Sequence, residues 1–398
     1  MAINNVNAIT RAINEGFMPI LEENAAVLNG LADTEFSTVP AALGQNILTP
    51  ITPILTAVDI VPGVIPIEGQ TETLTNVNVT FTKQRAVKFF LSGDDYMALE
   101  SPTPTPGFVP NSLKEAMRVA RNEIAVFGYA LLAAGATSAI GTAGSDPFAA
   151  PTAIQGLLPN WEQMVQYLND SLAPLSDRFG ILSTTAYGQL SQNPLLIEVQ
   201  KSGNDEMLRQ GMIGMLQGIG VNFDQLLAPV TVGTAENYLL SVATAVGDAT
   251  LTLKTGTGTI LPGDIVQIAG DATNYVAGLT PGGFAAPGVL TLSVGNRPGT
   301  NVGYVAQINA INAAVTVVAA GRRLPCFHSQ AMKLAVRPTA MPPGGDMAKE
   351  SAIFMDPKTG LAMRLAYYEG YLKNQFELQY VYGGTVTRPE LSKVWIGK

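Results

Sequence analysis

The segment LTNVNVTFTKQRAVKFFLSGDD, residues 74–95, opens with a strict alternation of apolar and polar residues. A period of two is the signature of a β-strand. An apolar segment that ends at Ile67 precedes this strand, and Glu68-Gly69-Gln70-Thr71 between them have the composition of a turn. The sequence therefore predicts a long hairpin over residues 54–91. Two sets of side chains face opposite sides of its return strand: Val77, Val79 and Phe81 on one, and Asn76, Asn78, Thr80 and Thr82 on the other.

Such a hairpin needs support, because an isolated two-stranded ribbon is marginally stable in water. We expect it to lie across another surface as an extended loop whose tip is Glu68, Gly69, Gln70 and Thr71. The alternative is an internal hairpin within an ordinary sheet.

The clearest helical pattern follows Pro110. Ser112 and Glu115 have the spacing of a capping box, and Gly135 marks the end of the pattern. A helix of roughly 22 residues is about 33 Å long, so we expect a structural spine packed in the core. Its apolar stripe recurs at i, i+3 and i+4: Leu113, Ala116, Met117, Ala120, Ile124, Phe127 and Leu131.

An α/β pattern follows the spine helix. Asn160 is predicted to cap one helix, residues 179–182 form a short strand, and Ser183 or Thr184 caps a second helix. A glycine-rich loop then precedes an apolar segment at residues 221–227.

The composition changes at about residue 232. Residues 232–320 contain only two basic residues and four acidic ones, with threonine, valine, glycine and alanine in excess. Short apolar segments between glycine-rich turns predict a small β-barrel or sandwich. We interpret it as a domain inserted into a loop of the α/β region.

Composition restricts the classes of function. Charged residues make up only 14% of the chain and apolar ones 47%, a depletion of charge that interface cores also show. The net charge of −8 argues against a protein that binds nucleic acid through basic patches, although it is compatible with a shell protein that encloses DNA.

The single cysteine precludes an internal disulfide. The start MAINNVNAIT lacks the pattern of a signal peptide, and the longest apolar run, residues 124–136, is too short for a bilayer.

No enzyme motif is found. Cys326 and His328 would share a strand face, but no neighbouring motif supplies the orienting group and oxyanion site of a nucleophile. Residues 255–259, Thr-Gly-Thr-Gly-Thr, lack the Gly-Lys-Ser/Thr ending of a phosphate loop. Asp94 and Asp95 are expected in a solvated turn or cap. We therefore predict no catalytic residue, no cofactor and no metal site.

The order of several segments resembles the tailed-bacteriophage major capsid proteins of the Hong Kong 97 fold. The likeness runs from about residue 50 to the end, apart from the β insert. Its landmarks are residues 79–89 with Ser92-Gly93-Asp94-Asp95, the helix from Ser112, residues 173–179 before Ser183-Thr184-Thr185, Gly211-Met212-Ile213-Gly214 before Gly218-Ile219-Gly220-Val221, Phe327-His328-Ser329-Gln330-Ala331-Met332, and residues 382–390 with their Arg-Pro-Glu close. The placement of the insert is similar to that of the extra β-barrel domain of the short-tailed-phage coat branch.

The resemblance implies an α+β fold of the Hong Kong 97 type with an inserted small β-barrel domain. The implied organisation is an N-terminal arm (1–53), an extended hairpin loop (54–91), a peripheral domain with the spine helix (92–150), an axial domain in two parts (151–231 and 323–345), the inserted β domain (232–322), and C-terminal peripheral strands (346–398). For the arm, the residues leave an alternative open, an N-terminal helix packed on its own domain.

It also implies a subunit that self-assembles as hexamers and pentamers into an icosahedral shell around double-stranded DNA. The implied partners are a scaffolding protein, a portal protein, packaged DNA bound without sequence specificity and, in some phages, a cement protein. No membrane is implied. Assembly would occur in the host cytoplasm and the product would be the virion capsid. An N-terminal extension acting as a fused scaffold is not expected.

Charge in the arm suggests where a basic scaffolding segment binds. Residues 1–79 hold one basic residue, Arg11, against eight acidic ones. Glu15, Glu22 and Glu23 share one face if the arm is helical, so they are the candidates for the scaffolding contact. Two other functions remain open: another self-assembling protein, such as a tail, decoration or surface-layer subunit, and an enzyme with an unrecognised site.

Overall fold

The computed structural model describes residues 23–30, 32–51, 75–95, 108–148, 158–193, 211–278, 283–295, 302–356 and 358–398, with the single residues 57, 59, 62 and 196. The helices are α1 (Phe108–Gly135), α2 (Pro159–Asp170) and α3 (Thr184–Ser191), with short 3-10 turns at Ala26–Leu28, Ser329–Ala331 and Pro389–Leu391. The strands are β1 (Asp33–Phe36), β2 (Asn46–Ile51), β3 (Thr75–Ser92), β4 (Ser138–Ile140), β5 (Arg178–Ser183), β6 (Met215–Leu216), β7 (Ile219–Asp224), β8 (Tyr238–Leu240), β9 (Thr250–Lys254), β10 (Ile265–Ile268), β11 (Asn274–Val276), β12 (Gly288–Thr291), β13 (Ala314–Val317), β14 (Arg323–His328), β15 (Met332–Arg337), β16 (Glu350–Met355), β17 (Ala362–Gly370), β18 (Lys373–Val386) and β19 (Ser392–Ile396).

A first sheet of seven strands is organised around β18. This strand pairs with β17 and then β15 along one edge and with β3 along the other. Alternate residues of β18 from Phe376 to Tyr382 are buried in the main core, which also contains the apolar stripe of α1. The alternation of apolar and polar residues in β18 has the period of two that is typical of a strand. The buried residues of β18 on this face are Phe376, Leu378, Tyr380 and Tyr382.

Helix α1 is longer than the sequence predicted. It begins at Phe108, so the predicted start at Ser112 is wrong by about one turn and the capping box does not form a cap. Proline is tolerated in a first helical turn, where its missing N–H would have no helical partner, and Pro110 lies there. Glu115 instead pairs with Arg118 on the same helix.

The second sheet joins the α/β region to the insert. Its order is β12-β9-β8-β13-β10-β11-β4-β19-β14-β5-β7-β6. The predicted strand at residues 179–182 is confirmed as β5, and Ser183 caps α3 by accepting a hydrogen bond from the Ala186 amide at 3.3 Å. The predicted cap at Asn160 is wrong, because α2 begins at Pro159 and the Asn160 side chain donates to the Pro147 carbonyl.

Four strands lie across the domain boundaries implied by the sequence. β2 falls in the implied arm but pairs with β3 as the other strand of the hairpin. β4 and the C-terminal β19 belong to the second sheet, where β19 lies between β4 and β14. β15 belongs to the first sheet, between β1 and β18. The implied boundaries at 53/54, 150/151 and 345/346 therefore do not coincide with the way the strands pair. The reason is that a strand joins a sheet through its hydrogen-bonded neighbours, which a segment's own composition does not specify.

The insert has its own hydrophobic core and a firm attachment to the body. Strands β8 to β13 enclose a cluster that includes Tyr238, Ile268 and Tyr275. A second cluster joins Ile265 and Val276 of the insert to residues of α1, β4 and β19. The strand pairing of β11 with β4 continues the sheet across this junction. The predicted all-β character of residues 232–320 agrees with the elements in their described part.

The buried residue Lys393 of β19 makes the free energy of unfolding depend on pH in a testable way. It is buried and donates to Thr137 Oγ1 at 2.6 Å. Burial lowers the pKa of its ammonium group from 10.5 to about 7, against the opposing effect of nearby Glu390 and Asp170. Between these two values the unfolded chain binds this proton and the folded chain does not, so its contribution to the free energy of unfolding rises with pH.

We expect the free energy of unfolding of Lys393→Met, measured with urea at pH 7, 8 and 9, to rise less steeply with pH than that of the wild type. Lys349→Met, at an exposed lysine, is the control, and equal slopes in wild type and Lys393→Met would contradict the assignment.

Candidate assembly surfaces

The hairpin formed by β2 and β3 leaves the first sheet at a β-bulge. Tyr382 pairs with Lys83, but the next residue of β18, Gly383, pairs with Phe81, so Thr82 is an extra residue in β3. An extra residue moves the following side chains to the opposite face of the sheet. Phe81 therefore faces away from α1 and lies in a separate small core with Ala41, Val79, Ala335 and Val381.

The backbones approach closely at this bulge. A Cβ atom on Gly383 would stand 2.0 Å from the Thr80 carbonyl oxygen and 2.8 Å from the Phe81 Cα. Both are backbone atoms, which cannot move aside as a flexible side chain can. The root of the hairpin therefore requires glycine at position 383.

Beyond the root, the hairpin is thin. Residues 75–80 of β3 pair with β2, and within the described part of the chain they have no second strand partner. Six strand residues span about 20 Å. Asn76 and Asn78 are exposed while Val79 is buried, so the predicted alternation is confirmed there. The predicted tip at Glu68, Gly69, Gln70 and Thr71 lies outside the described residues.

Glu123 of α1 ties the spine helix to the sheet beside the hairpin root. It accepts hydrogen bonds from the hydroxyls of Tyr380 at 2.7 Å and Tyr382 at 2.9 Å, and it pairs with Arg85 of β3 at 3.1 Å. Burial, helped by the Glu123 carboxylate, raises the pKa of both tyrosines. The tyrosines therefore remain protonated donors that orient β18 and β3 against α1.

The opposite face of the first sheet contains a polar cleft of about 950 Å³. Buried Arg364 donates to Asp346 Oδ2 at 2.6 Å and to Gln379 Oε1 at 3.0 Å. This guanidinium holds the pKa of Asp346 at about 2. Nearby, Lys88 pairs with Glu377 at 3.0 Å. The acidic groups of the cleft, Asp346 and Glu377, are thus each held by a basic group of the same cleft, which suits a structural network.

The described part of the predicted arm is fastened to the body. The buried carboxylate of Asp224 accepts hydrogen bonds from the Ala26 amide at 2.9 Å and from the Tyr129 hydroxyl. Burial raises the pKa of Asp224. Residues 25–28 lie in the main core, and β1 pairs in parallel with β15. Residues 25–30 and 32–36 therefore pack on the protein's own domain as a 3-10 turn and a strand. The segment before residue 23, where the alternative would place a helix, lies outside the described residues.

The three candidate scaffolding residues are placed unequally. Glu15 and Glu22 lie outside the described residues. Glu23 pairs with Arg118 of α1, and this hydrogen bond lowers the pKa of Glu23. A scaffolding segment that binds Glu23 would have to compete with Arg118.

Cys326 and His328 form no nucleophilic pair. Both are buried in β14, between β19 and β5, and burial raises the pKa of the Cys326 thiol. His328 Nδ1 accepts a hydrogen bond from the Gln330 amide at 3.1 Å. This bond caps the short turn that follows, which is a structural role.

Other sequence candidates also have structural roles. Residues 255–259 form a turn after β9 that leads into the strands of the insert without a helix. Asp95 closes a turn by accepting hydrogen bonds from the Ser92 amide and hydroxyl at 2.8 and 2.7 Å. Among the described residues no group of three or more histidine, cysteine, aspartate or glutamate side chains could hold a metal ion. None of the described helices has the length and hydropathy to cross a membrane.

Two groups stand out among the exposed large apolar side chains of the described residues. Tyr371 and Leu372 form the exposed turn between β17 and β18, beside Phe90 of β3. A second group lies at one end of the insert, in residues 241–248 and 305–312. Extended apolar surfaces of this kind mark contacts with other macromolecules.

Comparison with solved structures finds the same fold in phage capsids. The capsid structure of Cyanophage P-SCSP1u matches 96% of this chain and 90% of that chain, with 11% identity and a TM-score of 0.50. A chain from Mycobacterium phage Che8 matches 96% and 94%, with 11% identity and a TM-score of 0.49. The capsid of a native GTA particle matches 99% of both chains, with 8% identity and a TM-score of 0.44. No protein-family model matches the chain, and no curated protein does so significantly.

The chain therefore has the fold of a phage capsid subunit. The α+β fold class predicted from the sequence is confirmed over nearly the whole chain. At 11% identity the likeness establishes the fold alone, so the function has to be argued from the surfaces.

Sequence reasoning missed several of the residues that shape these surfaces. The pair Gly383-Gly384 has the composition of a strand ending, although Gly383 lies inside β18. Glu123 and Asp224 carried no motif, because their partners come from distant parts of the chain. The sequence marks Asp224 as a lone acid at the end of an apolar strand pattern. It does not show which residues bind the Asp224 carboxylate.

Proposed function

We propose that the protein is the major capsid protein of a tailed phage. It assembles as hexamers and pentamers into an icosahedral shell that encloses double-stranded DNA. The observation that carries the proposal is the match of 96% of the chain to a phage capsid structure. The thin hairpin of β2 and β3 adds support, because its outer part needs a surface that the described residues do not supply.

The mechanism is assembly. The low content of charge, 14%, favours a subunit much of whose surface is buried against other copies. Hairpins and arms that lie across neighbouring subunits give large contacts, in total well above about 2,000 Å² per subunit. The rigid parts are α1 and β18, fixed by the Glu123 hydrogen bonds.

Electron microscopy of the purified chain tests this function. Closed shells of uniform diameter are expected, with a separate scaffolding protein supplied where the chain alone forms irregular particles. Tubes or flat sheets would favour a tail or surface-layer subunit instead. Shells formed equally by Cys326→Ala and His328→Ala chains would also count against an enzyme with an unrecognised site.

The proposed partners follow from the same function. They are other copies of the chain, a scaffolding protein, a portal protein, packaged DNA held without sequence specificity and, where one exists, a cement protein. The proposed location is the virion capsid, assembled in the host cytoplasm.

The scaffolding contact is proposed to use the acidic arm. Complementary charge speeds encounter, and exposed ion pairs are individually weak, which permits release after assembly. We expect charge reversal at Glu15 and Glu22 to weaken binding of the scaffolding protein about ten-fold at low salt. Reversal at Glu23 alone should have a smaller effect, because Glu23 is already paired with Arg118.

The measurement is a binding titration of the full chain with the scaffolding protein at low and high salt. Charge reversal at Glu350, an acid of edge strand β16, is the control. Affinity that is independent of salt and of Glu15 and Glu22 would rule out the electrostatic contact.

We propose that residues 230–322 can fold alone as a β domain. The cluster around Tyr238 and Tyr275 supplies a core of its own. Excision would expose Ile265 and Val276, which the body covers in the full chain. We therefore expect a folded fragment with an all-β circular dichroism spectrum and dispersed amide shifts, made more soluble by Ile265→Thr. A disordered spectrum for both fragments would contradict the autonomy of the insert.

A further inference from the structure

The second sheet is narrowest at β4, a strand of three residues. On one side β4 pairs in parallel with β19, through Ala139 with Val394 and Ile140 with Trp395. On the other side it pairs with β11 of the insert. Among the described strands, β4 is therefore the one that connects the strands of the insert to those of the body. We call the contact between β4 and β19 the seam.

A buried lysine lies at one end of the seam. Lys393 Nζ donates to Thr137 Oγ1 at 2.6 Å, and the Thr137 amide donates to the Ser392 carbonyl at 3.2 Å. Thr137 directly precedes β4, so these two bonds hold the start of β4 against β19. All three residues are buried. The seam is thus closed by a lysine whose hydrogen-bond acceptor is a neutral hydroxyl.

The groups around Lys393 compensate its charge poorly. Glu390, on the turn before β19, and Asp170, on α2, favour the charged form, but neither forms an ion pair with the lysine in the described part of the chain. The Tyr167 ring of α2 lies 5.8 Å from Nζ. Cys326 of β14 is opposite the lysine, and burial raises the pKa of its thiol, which stays uncharged. The end of α1 and β4 contribute no titratable side chain. A charged lysine here is therefore buried without the ion pair that a buried charge requires.

We propose that proton uptake by Lys393 opens the seam and separates the insert half of the second sheet from the body half. While the seam is closed, burial favours the neutral amine. When the seam is open, the side chain reaches water, which stabilises the ammonium group. The proton therefore binds the open form more tightly, and a ligand that prefers one of two forms shifts the population toward that form. The seam belongs to the single subunit and responds to pH whether or not the subunit assembles.

The pH range of the response follows from the two forms. Burial in the closed seam lowers the pKa of Lys393 from 10.5 to about 7, and the open form regains the ordinary value. Between pH 9 and pH 7 the open form therefore binds more protons than the closed form, so the opening constant rises about ten-fold or more as pH falls over that interval. Below about pH 7 both forms hold the proton, and the opening constant becomes independent of this residue.

Hydrogen exchange of the full chain at pH 7, 8 and 9 measures the opening, after correction for the intrinsic effect of pH on exchange. The amides to follow are those of residues 137–140 and 392–396. We expect their protection to fall about ten-fold or more from pH 9 to pH 7 in the wild type and by less than about two-fold in Lys393→Met. Methionine fills the site and has no proton to bind. Lys349→Met, at an exposed lysine, is the control and should behave as the wild type.

Thr137→Val is a second test that does not depend on the folding of Lys393→Met. It removes the hydroxyl and keeps the lysine, so the seam should open more at every pH and keep its dependence on pH. The seam amides should also exchange faster than those of β18, because the seam opens without unfolding of the subunit.

Three results would overturn the proposal. The first is seam protection that does not depend on pH in the wild type and in Thr137→Val. The second is a pH dependence that persists in Lys393→Met. The third is equal protection at the seam and in β18, which would mean that the seam opens only when the whole subunit unfolds.

Discussion

Deleting residues 64–72 is expected to abolish shells and to leave a folded subunit. The deletion removes the predicted tip of the extended loop, Glu68 to Thr71, which lies outside the described residues. The hairpin root remains, because Phe81 and Val79 are buried in the body of the subunit. What is lost is the part that would reach a neighbouring subunit beyond the paired residues 46–51 and 75–80.

The readouts are electron microscopy for shells and near-ultraviolet circular dichroism for the folded subunit. A matched control replaces residues 64–72 with glycine and serine at constant length, which separates the length of the loop from its side chains. If the deletion variant forms shells of normal stability, the hairpin does not bridge subunits. Loss of the folded signal would instead assign these residues to the subunit's own fold.

Gly383→Ala is expected to lower the free energy of unfolding by about 2–4 kcal/mol, in the range of severe overpacking. The new Cβ would lie 2.0 Å from the Thr80 carbonyl oxygen, so the bulge at Thr82 would have to open. Opening the bulge moves Phe81 out of its small core. We therefore also expect shells to be fewer, because the hairpin leaves the sheet at this point.

Urea unfolding monitored by tryptophan fluorescence measures the first effect. The control is Gly188→Ala in α3, where a Cβ would meet nothing within 4 Å. Alanine is favoured over glycine in a helix interior by up to about 1 kcal/mol, so this control should be neutral or stabilising. Equal unfolding midpoints for Gly383→Ala and wild type would show that the bulge is not tight.

The sequence determined those features that depend on neighbours along the chain. Alternation at residues 76–82 predicted β3, and i, i+3, i+4 spacing predicted α1, because both follow from the geometry of a single element. Ser183 or Thr184 was predicted as a cap because capping depends on residues three apart, and the structure shows Ser183 in that role. The loss of charge after residue 232 marked the insert. The order of these segments was enough to suggest a phage capsid fold.

Only the tertiary structure decided which segments meet. The bulge opposite Gly383 arises from pairing between residues about 300 positions apart, and no local pattern contains that register. β19 has an apolar pattern that suits any buried strand, and only its neighbours β4 and β14 place it in the second sheet. Asp224 fastens the N-terminal segment through Ala26 and Tyr129 because folding brings three distant residues together in a buried site. The exposed aliphatic side chains at one end of the insert likewise come together only because folding aligns residues 241–248 with 305–312.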